Sequence, residues 1–541
     1  MENIQRNLFS MLKPTTMISA CLIGIMALTF YLRLLYFGQI IDGDVGRAGY
    51  VAWRMAEGEI LIDLEGPGKP PLYSVLYAVF IWLFGPSVLG LKLFGTVFVL
   101  MAVLAVYWLG KQAYGKQVGL LAALLFGVFS SGPMVEGGTV NLETVLHFPY
   151  ILAIGLFLKA SDSGRLRWYF LTGMCATLAT LVKQVGGVLF FVFLCYGIHE
   201  RWIKKDSFML RQWFYRYMAL AGGALLPVIG MLAFYHFYGY TLSQLYDSML
   251  GSNLRYIQRG HEYTSALQFF SSQLKAMLPE NGLLWGGALF AGVYLGWRIW
   301  RGKEEVSDRI LLWWAFWSFA VLWVSGTFYG HYFLQIIASF SVLTAFGIVT
   351  AWRWAKSLSS LSRFVAQGVW TILLVIMVTL FIKTDYKYFF SYTPVGQTVF
   401  QRHYSDGTFD VSYGIYNIVQ QGFAFFIRDH TDPSETLYVW GIAPQIYFLA
   451  QRKAATRYIC NSNMSFLVTN NSLKALEAYA PTVMEDIRKS PPAYIVEIFR
   501  LEDFPELQAF VRDQYVVERS VELQNQPVRP YYLYRRRHDI Q

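Results

Sequence analysis

Runs of apolar residues long enough to cross about 30 Å of hydrocarbon recur from residue 16 to residue 384, and that repetition leaves few fold classes open. The stretches 16–37, 88–109, 117–133, 142–160, 166–183, 185–199, 213–238, 282–300, 309–327, 331–351 and 365–384 read as spans. They number about eleven, since neighbouring runs split or merge in any window. Inside a bilayer the backbone satisfies its polar groups only as helix or closed barrel, and runs of this length fit helices. Composition agrees: 55% of the 541 residues are hydrophobic and 15% are charged, against about 25% charged in a soluble domain. The first run is too long for the apolar segment of a signal peptide and no small-residue cleavage site follows it, so it reads as an uncleaved span. Cys21, Cys175, Cys195 and Cys460 lack metal-ligand spacing and imply neither a disulfide framework nor a zinc site.

Basic residues fall on alternate loops. Lys111 and Lys116, Arg165 and Arg167, Arg201, Lys204, Lys205 and Arg211, then Arg298, Arg301, Lys303 and Arg309, and finally Arg353, Lys356 and Arg363 mark one side of the membrane. The positive-inside rule makes that side cytoplasmic, together with the N-terminus and Lys13. The net charge of +10 is therefore a topology signal and not a nucleic-acid footprint. Three segments fall on the outer face: 38–87, with six acidic residues before Lys69, the loop 239–281, and everything after 385. The division expected is a transmembrane catalytic domain over 1–384, with interfacial helices in 38–87, and an extracytoplasmic domain over 385–541.

The region after 385 changes character. Leu437-Tyr438-Val439-Trp440 and the stretch from Pro492 to Glu497 read as strands, and an apolar helical run covers 444–450. Tyr515-Val516-Val517 and Tyr531-Tyr532-Leu533-Tyr534 suit a late hairpin. A small α/β domain is the expectation.

The first outer loop holds the chemistry-bearing pattern. It begins Ile41-Asp42-Gly43-Asp44-Val45-Gly46-Arg47, continues through an amphipathic stretch to Glu59, and reaches Gly68-Lys69-Pro70-Pro71-Leu72-Tyr73. Its aromatic, amphipathic pieces suit helices lying along the interface. Asp44, Arg47, Ala52, Met55 and Gly58, followed by Lys69-Pro70-Pro71-Leu72, Phe84-Gly85 and Leu91-Lys92-Leu93, run in phase with a known loop. This pattern resembles the first outer loop of GT-C glycosyltransferases of the protein O-mannosyltransferase and lipid A aminoarabinose transferase kind. The likeness is strongest over 38–200 and continues more weakly at His331-Tyr332-Phe333-Leu334. Val45, Ala48 and Lys92 depart from the family outline, which bears on sugar and acceptor preference more than on reaction class.

The resemblance implies a polytopic GT-C fold of about 11–13 transmembrane helices, with a small extracytoplasmic α/β domain. It implies a glycosyltransferase that takes its sugar from a polyprenyl-phosphate carrier. The leaving phosphate is already ionised, so departure calls for cations and not for a general acid. One carboxylate then takes the proton of the attacking hydroxyl, unlike glycoside hydrolysis with its two carboxylates. Asp44 is the family-matched base. Asp42 competes with it, because Asp-Gly-Asp also suits a turn or a cation-binding pair. Arg47 and Lys69 are assigned to the donor phosphate by the resemblance, with Lys92 and Lys183 as further phosphate candidates. Glu143 matches a second family acid that orients acceptor or donor sugar, and an interfacial charge reaching for water is its plainer role. Lys183 admits the same plainer role. His331 suits a structural, hydrogen-bonded histidine. Arg255, among Asn253, Tyr256 and Arg259, suits either a lipid phosphate or headgroup docking.

No cofactor is expected, although Asp-Gly-Asp leaves a divalent cation open. The partners expected are the lipid-linked donor, a glycolipid, polysaccharide or protein acceptor, and membrane lipids. The site and the C-terminal domain are expected on the periplasmic or exterior face of a bacterial inner membrane. The rival class is a transporter or flippase of lipid-linked sugars, which places its ionisable groups near the midplane, often in two similar halves. Here the candidates crowd the outer helix ends.

Overall fold

The structure, a computed structural model, describes residues 14–39, 41–60, 69–204, 208–251, 266–324, 328–357, 411–459, 473–522 and 530–537 with a few isolated positions. Helices follow the apolar pattern: α1 (Pro14–Leu34), α2 (Gly43–Ala56), α3 (Leu72–Phe84), α4 (Val88–Tyr114), α5 (Lys116–Phe129), α6 (Leu142–Ser163), α7 (Leu166–Val182), α8 (Val188–Lys204), α9 (Phe208–Phe237), α10 (Ala266–Trp300), α11 (Val306–Ala320) and α12 (Leu334–Ser357). They are followed by α13 (Val411–Asp429), α14 (Gln445–Ala450), α15 (Leu473–Lys489) and α16 (Pro505–Gln514), interleaved with β1 (Thr436–Trp440), β2 (Lys453–Ala454), β3 (Tyr494–Glu497), β4 (Tyr515–Val521) and β5 (Tyr531–Arg536). Each expected span up to 331–351 meets a helix, while 365–384 falls almost wholly outside the described residues, as does Cys460. Among the described residues five helices are long and apolar enough to cross a membrane, and α3, α5 and α7 are shorter apolar helices. The architecture is that of a polytopic helical membrane protein carrying a small sheet-containing region.

The chain divides into two compact units, one of Met1–Phe37, Gly95–Leu242 and Ser252–Gln397, the other of Gly38–Phe94, Ser243–Gly251 and Thr398–Gln541. In the first unit α7 and α9 cross through glycine. A Cβ on Gly173 would lie 1.9 Å from the Leu220 carbonyl oxygen, and one on Gly223 would lie 1.8 Å from that of Phe170. Lipid tails are as apolar as leucine, so helices in a bilayer gain from such close backbone approach and not from burial alone. The start of α11 is closed by a reciprocal cap between Glu305 and Asp308. Buried Asp308 also accepts the Tyr114 hydroxyl at 2.9 Å and faces Arg298 at 3.4 Å.

The second unit holds a five-stranded sheet in the order β2-β1-β3-β5-β4. β1 runs parallel to β2 and β3, with Leu437 opposite Tyr494, while β5 is antiparallel to both β3 and β4. The expected late hairpin is present, with a bulge between Val517 and Arg519. Tyr438, Trp440 and Ile495 of the sheet pack with Val483, Met484 and Ile487 of α15 and Leu507 and Val511 of α16 in a buried core. The buried indole of Trp440 donates to the Arg500 carbonyl at 2.9 Å.

The first outer loop packs within this same unit. Tyr50 of α2 accepts the Ala454 N–H at 2.9 Å, and its ring stands 5.4 Å from that of Tyr447. Burial pushes the Tyr50 hydroxyl up to about 12, so it stays neutral. Arg54 is buried and pairs with Glu57 and Glu59, and Glu59 also accepts from Lys453 at 3.3 Å. Burial raises the Glu59 carboxyl, but the hydrogen bond and charge of Arg54, helped by Lys453, outweigh it and hold the pKa below its ordinary value. A depressed carboxyl contributes stability above its unfolded pKa of roughly 4.3, and that stability is lost as pH falls through the folded pKa. Acidification below about pH 4 should therefore speed hydrogen exchange in 41–60, and Glu59→Gln should flatten the response. Exchange that stays constant across this range would refute the role of Glu59.

Candidate active site

Asp42 starts α2. Its backbone is extended and its Oδ1 accepts the Val45 N–H at 2.8 Å, an N-cap that satisfies a helix donor lacking an intrahelical partner. The cap sets Asp44 in the first turn with its side chain 58% exposed. Asp44 Oδ1 accepts from Lys69 Nζ at 2.9 Å and from Arg47 Nη2 at 3.3 Å. Arg47 is the i+3 neighbour on the helix surface. Lys69 arrives from 25 residues along the chain, immediately before Pro70 and Pro71, and Pro71 caps α3. Proline fixes φ and lacks an N–H, which suits it to a position just ahead of a helix. Lys92 is buried near the start of α4. Asp42 and Asp44, though separated only by Gly43, are thus turned to different partners.

The first unit holds a second polar group. Glu143 lies in the first turn of α6, its side chain buried, and accepts from Lys183, which follows the end of α7. The Lys183 ammonium also stands 4.4 Å from the centre of the Tyr332 ring. His331 Nδ1 is 2.8 Å from Glu136 Oε2, and its ring lies parallel to that of Tyr329. Glu136 has a left-handed backbone, φ +53°, which costs a residue with a side chain about 1 kcal/mol or more. Two contacts from Thr139 hold it there: the N–H at 3.0 Å and the hydroxyl at 2.7 Å, both donating to the Glu136 carbonyl. The same loop is fastened by Arg33, which donates to the Gly137 carbonyl at 2.7 Å, and by buried Glu280, which accepts the Met134 N–H at 3.1 Å.

The structure therefore gathers Asp44, Arg47 and Lys69 into one group, and Glu143, Lys183 and His331 into another with Tyr332 and Glu136. Asp42 caps a helix. Arg255, with Asn253, Tyr256 and Arg259, lies outside the described residues. Glu136 and Glu280 are participants that the sequence reading missed, and Tyr332 entered it only within the family-like stretch 331–334. Glu280 carried no signal of its own, because the sequence places it in the outer loop 239–281, ahead of the apolar run 282–300.

A family model described as dolichyl-phosphate-mannose-protein mannosyltransferase matches residues 68–236, under a third of the chain. That stretch contains Lys69, Lys92, Glu143 and Lys183, and Asp44 and Arg47 precede it. Solved structures extend the likeness over nearly the whole chain. ArnT from Cupriavidus metallidurans, bound to undecaprenyl phosphate, is 12% identical with a TM-score of 0.60, covering 95% of this chain and 97% of its own. The oligosaccharyltransferase AglB from Archaeoglobus fulgidus, in complex with an inhibitory peptide and a dolichol-phosphate, is 14% identical with a TM-score of 0.57, covering 90% of this chain and 70% of its own. The chain has the GT-C glycosyltransferase fold. No curated protein sequence matches it.

Within this GT-C fold a buried carboxylate, Glu143, is paired with a partly exposed cation, Lys183. Lys183→Met leaves the Glu143 carboxylate without its cation, which should cost about 3–5 kcal/mol. Adding Glu143→Gln should recover most of that loss, because the stranded charge is gone. Thermal unfolding of both variants in detergent checks the cycle, and additive losses would show that the two residues are not coupled.

Proposed function

We propose that this protein is a membrane glycosyltransferase that moves a sugar from a polyprenyl-phosphate carrier to a hydroxyl acceptor by a single inverting displacement. The observation that carries the reading is the exposed Asp44 carboxylate within 2.9 Å of Lys69 and 3.3 Å of Arg47. Support also comes from the mannosyltransferase family model and from a fold shared with proteins solved with undecaprenyl phosphate and dolichol-phosphate.

In the proposed reaction Arg47 and Lys69 turn from Asp44 to the donor phosphate. The acceptor oxygen attacks the anomeric carbon from the face opposite the phosphate. The bond from that carbon to the phosphate oxygen breaks with its electron pair, and the polyprenyl phosphate leaves as an anion stabilised by the two cations. Asp44, released from its pairs, takes the acceptor proton. Glu143 is the reserve carboxylate, and Lys92 and Lys183 are further phosphate candidates. The reading requires no metal, because the cations are side chains. The acceptor is a glycolipid, a polysaccharide or a protein. The reaction takes place on the outer face of a bacterial inner membrane, with the N-terminus cytoplasmic. Reporter fusions after Lys205 and after Gln541 test that orientation: opposite sides are expected, and a shared side rules it out.

The decisive experiment incubates the purified protein with radiolabelled undecaprenyl- and dolichyl-phosphate sugars and membrane acceptors. Asp44→Asn keeps shape and hydrogen bonding but cannot take the proton, so transfer should fall about 10²–10⁴-fold while lipid binding persists. Lys69→Ala and Arg47→Ala should each weaken undecaprenyl phosphate binding by about 1.5–3 kcal/mol. Asp42→Asn should cost far less, unless the pair binds a cation, in which case chelator reproduces the loss. A fully active Asp44→Asn transfers the base role to another carboxylate, and a product that keeps the donor anomer excludes single displacement.

A further inference from the structure

Resting on Asp44 as the base, we infer that the C-terminal sheet domain holds the catalytic helix in register, with Gly46 and Gly49 of α2 as positioning residues. Gly43, Gly46 and Gly49 recur at i+3 spacing and are neighbours on the helix surface. Short helix α14 lies against them. A Cβ on Gly46 would fall 2.2 Å from the Gln445 Cβ, 2.3 Å from its Cα and 2.9 Å from its backbone nitrogen. One on Gly49 would meet the Phe448 ring at 3.1 Å, and one on Gly43 would stand 3.3 Å from Gln445 Oε1. The obstacle at Gly46 is backbone, which cannot step aside as a flexible side chain can.

The surface that α2 meets is itself fixed. Gln445 is buried, and its amide donates to Asn417 at 3.2 Å and to Gln420, both on α13. The Tyr50–Ala454 hydrogen bond fastens the helix one turn further along. Asp44 adjoins Gly43 and Arg47 adjoins Gly46, so the turn that touches the domain is the turn that carries the reacting groups. Lys69 and Arg47 have long side chains that absorb a small shift of the helix and still reach a phosphate. The Asp44 side chain is too short to do so. Moving α2 outward should therefore reduce turnover and spare donor binding, since a misplacement of about 1 Å at a reacting group costs on the order of 10²-fold.

The test uses the full-length protein, the same panel of undecaprenyl- and dolichyl-phosphate sugars, and undecaprenyl phosphate as the binding probe. Gly46→Ala should lower kcat on the order of 10²-fold with lipid affinity within about threefold of the parent. Gly49→Ala should cost about tenfold, and adding Phe448→Leu should restore most of it by removing the ring atoms in the way. Full kcat in Gly46→Ala overturns the inference, as does a loss that only follows the folded fraction. If Gly46→Ala fails to fold, the Gly49 pair decides: no loss, or no recovery with Phe448→Leu, overturns it. Asp44→Asn, measured alongside, separates the two readings. An active Asp44→Asn removes both, whereas an inactive one beside unaffected glycine variants removes the positioning role alone.

Discussion

Hydrocarbon cannot solvate a charge, and an ionised side chain drawn out of water costs several kcal/mol unless a partner repays it. The first unit is arranged around that constraint. Four of its ionisable groups show the pattern, three at or beside helix ends and Glu280 within α10: Glu143 with Lys183, His331 with Glu136, Arg33 with a backbone carbonyl, Glu280 with a backbone N–H. At the ends of α4, α10 and α11 the same holds for Asp308, Tyr114 and Arg298. The pairs shape the chain between the helices as well as neutralising charge. The loop joining α5 to α6 turns through a left-handed Glu136, with two of its backbone groups taken by Arg33 and Glu280 from elsewhere and a third by its own Thr139.

The Asp44 group follows a different economy. Its carboxylate is more than half exposed, and two cations share one oxygen. Exposed pairs of this kind contribute little to stability, typically 0–1 kcal/mol. In the proposed reaction their value is chemical. Cations held by a weak, water-facing anion are easily drawn to a stronger one, and a phosphate offers more charge and more acceptor oxygens than a carboxylate. In the proposed reaction the resting contacts and the working contacts are alternatives, so arrival of the donor is what frees the base.

Much of this was legible in the sequence because periodicity and charge bias are local. The apolar runs marked the helices, and the tracts around Val439, Ile495, Val517 and Leu533 marked strands later found in one sheet. Lys69 and Asp44 are neighbours despite 25 intervening steps, and only the family pattern linked them beforehand. What could not be read was tertiary. Nothing near Glu136 announces His331, 195 positions away, as its partner. Arg452 gave no hint that its guanidinium would gather the carbonyls of Arg428, Thr431 and Ala450, sealing the end of α13. Nothing in the sequence around Gly46 shows that a neighbouring backbone lies where its side chain would be.

The contact between Tyr50 and Ala454 joins positions 404 residues apart. At a ribosomal pace of about 5–20 residues per second, roughly 20–80 s separate the appearance of the two. The cap of α2 and its Arg54 pairs are made wholly within its own loop and need nothing that comes later in the chain. Through that interval its glycine face, however, has nothing to lie on. The loop is delivered early and finished late, so a nascent chain that has already threaded the bilayer is still waiting for the part against which α2 packs. If α2 carries the base as proposed, assembly order alone keeps a half-made molecule from acting on the membrane into which it is being inserted.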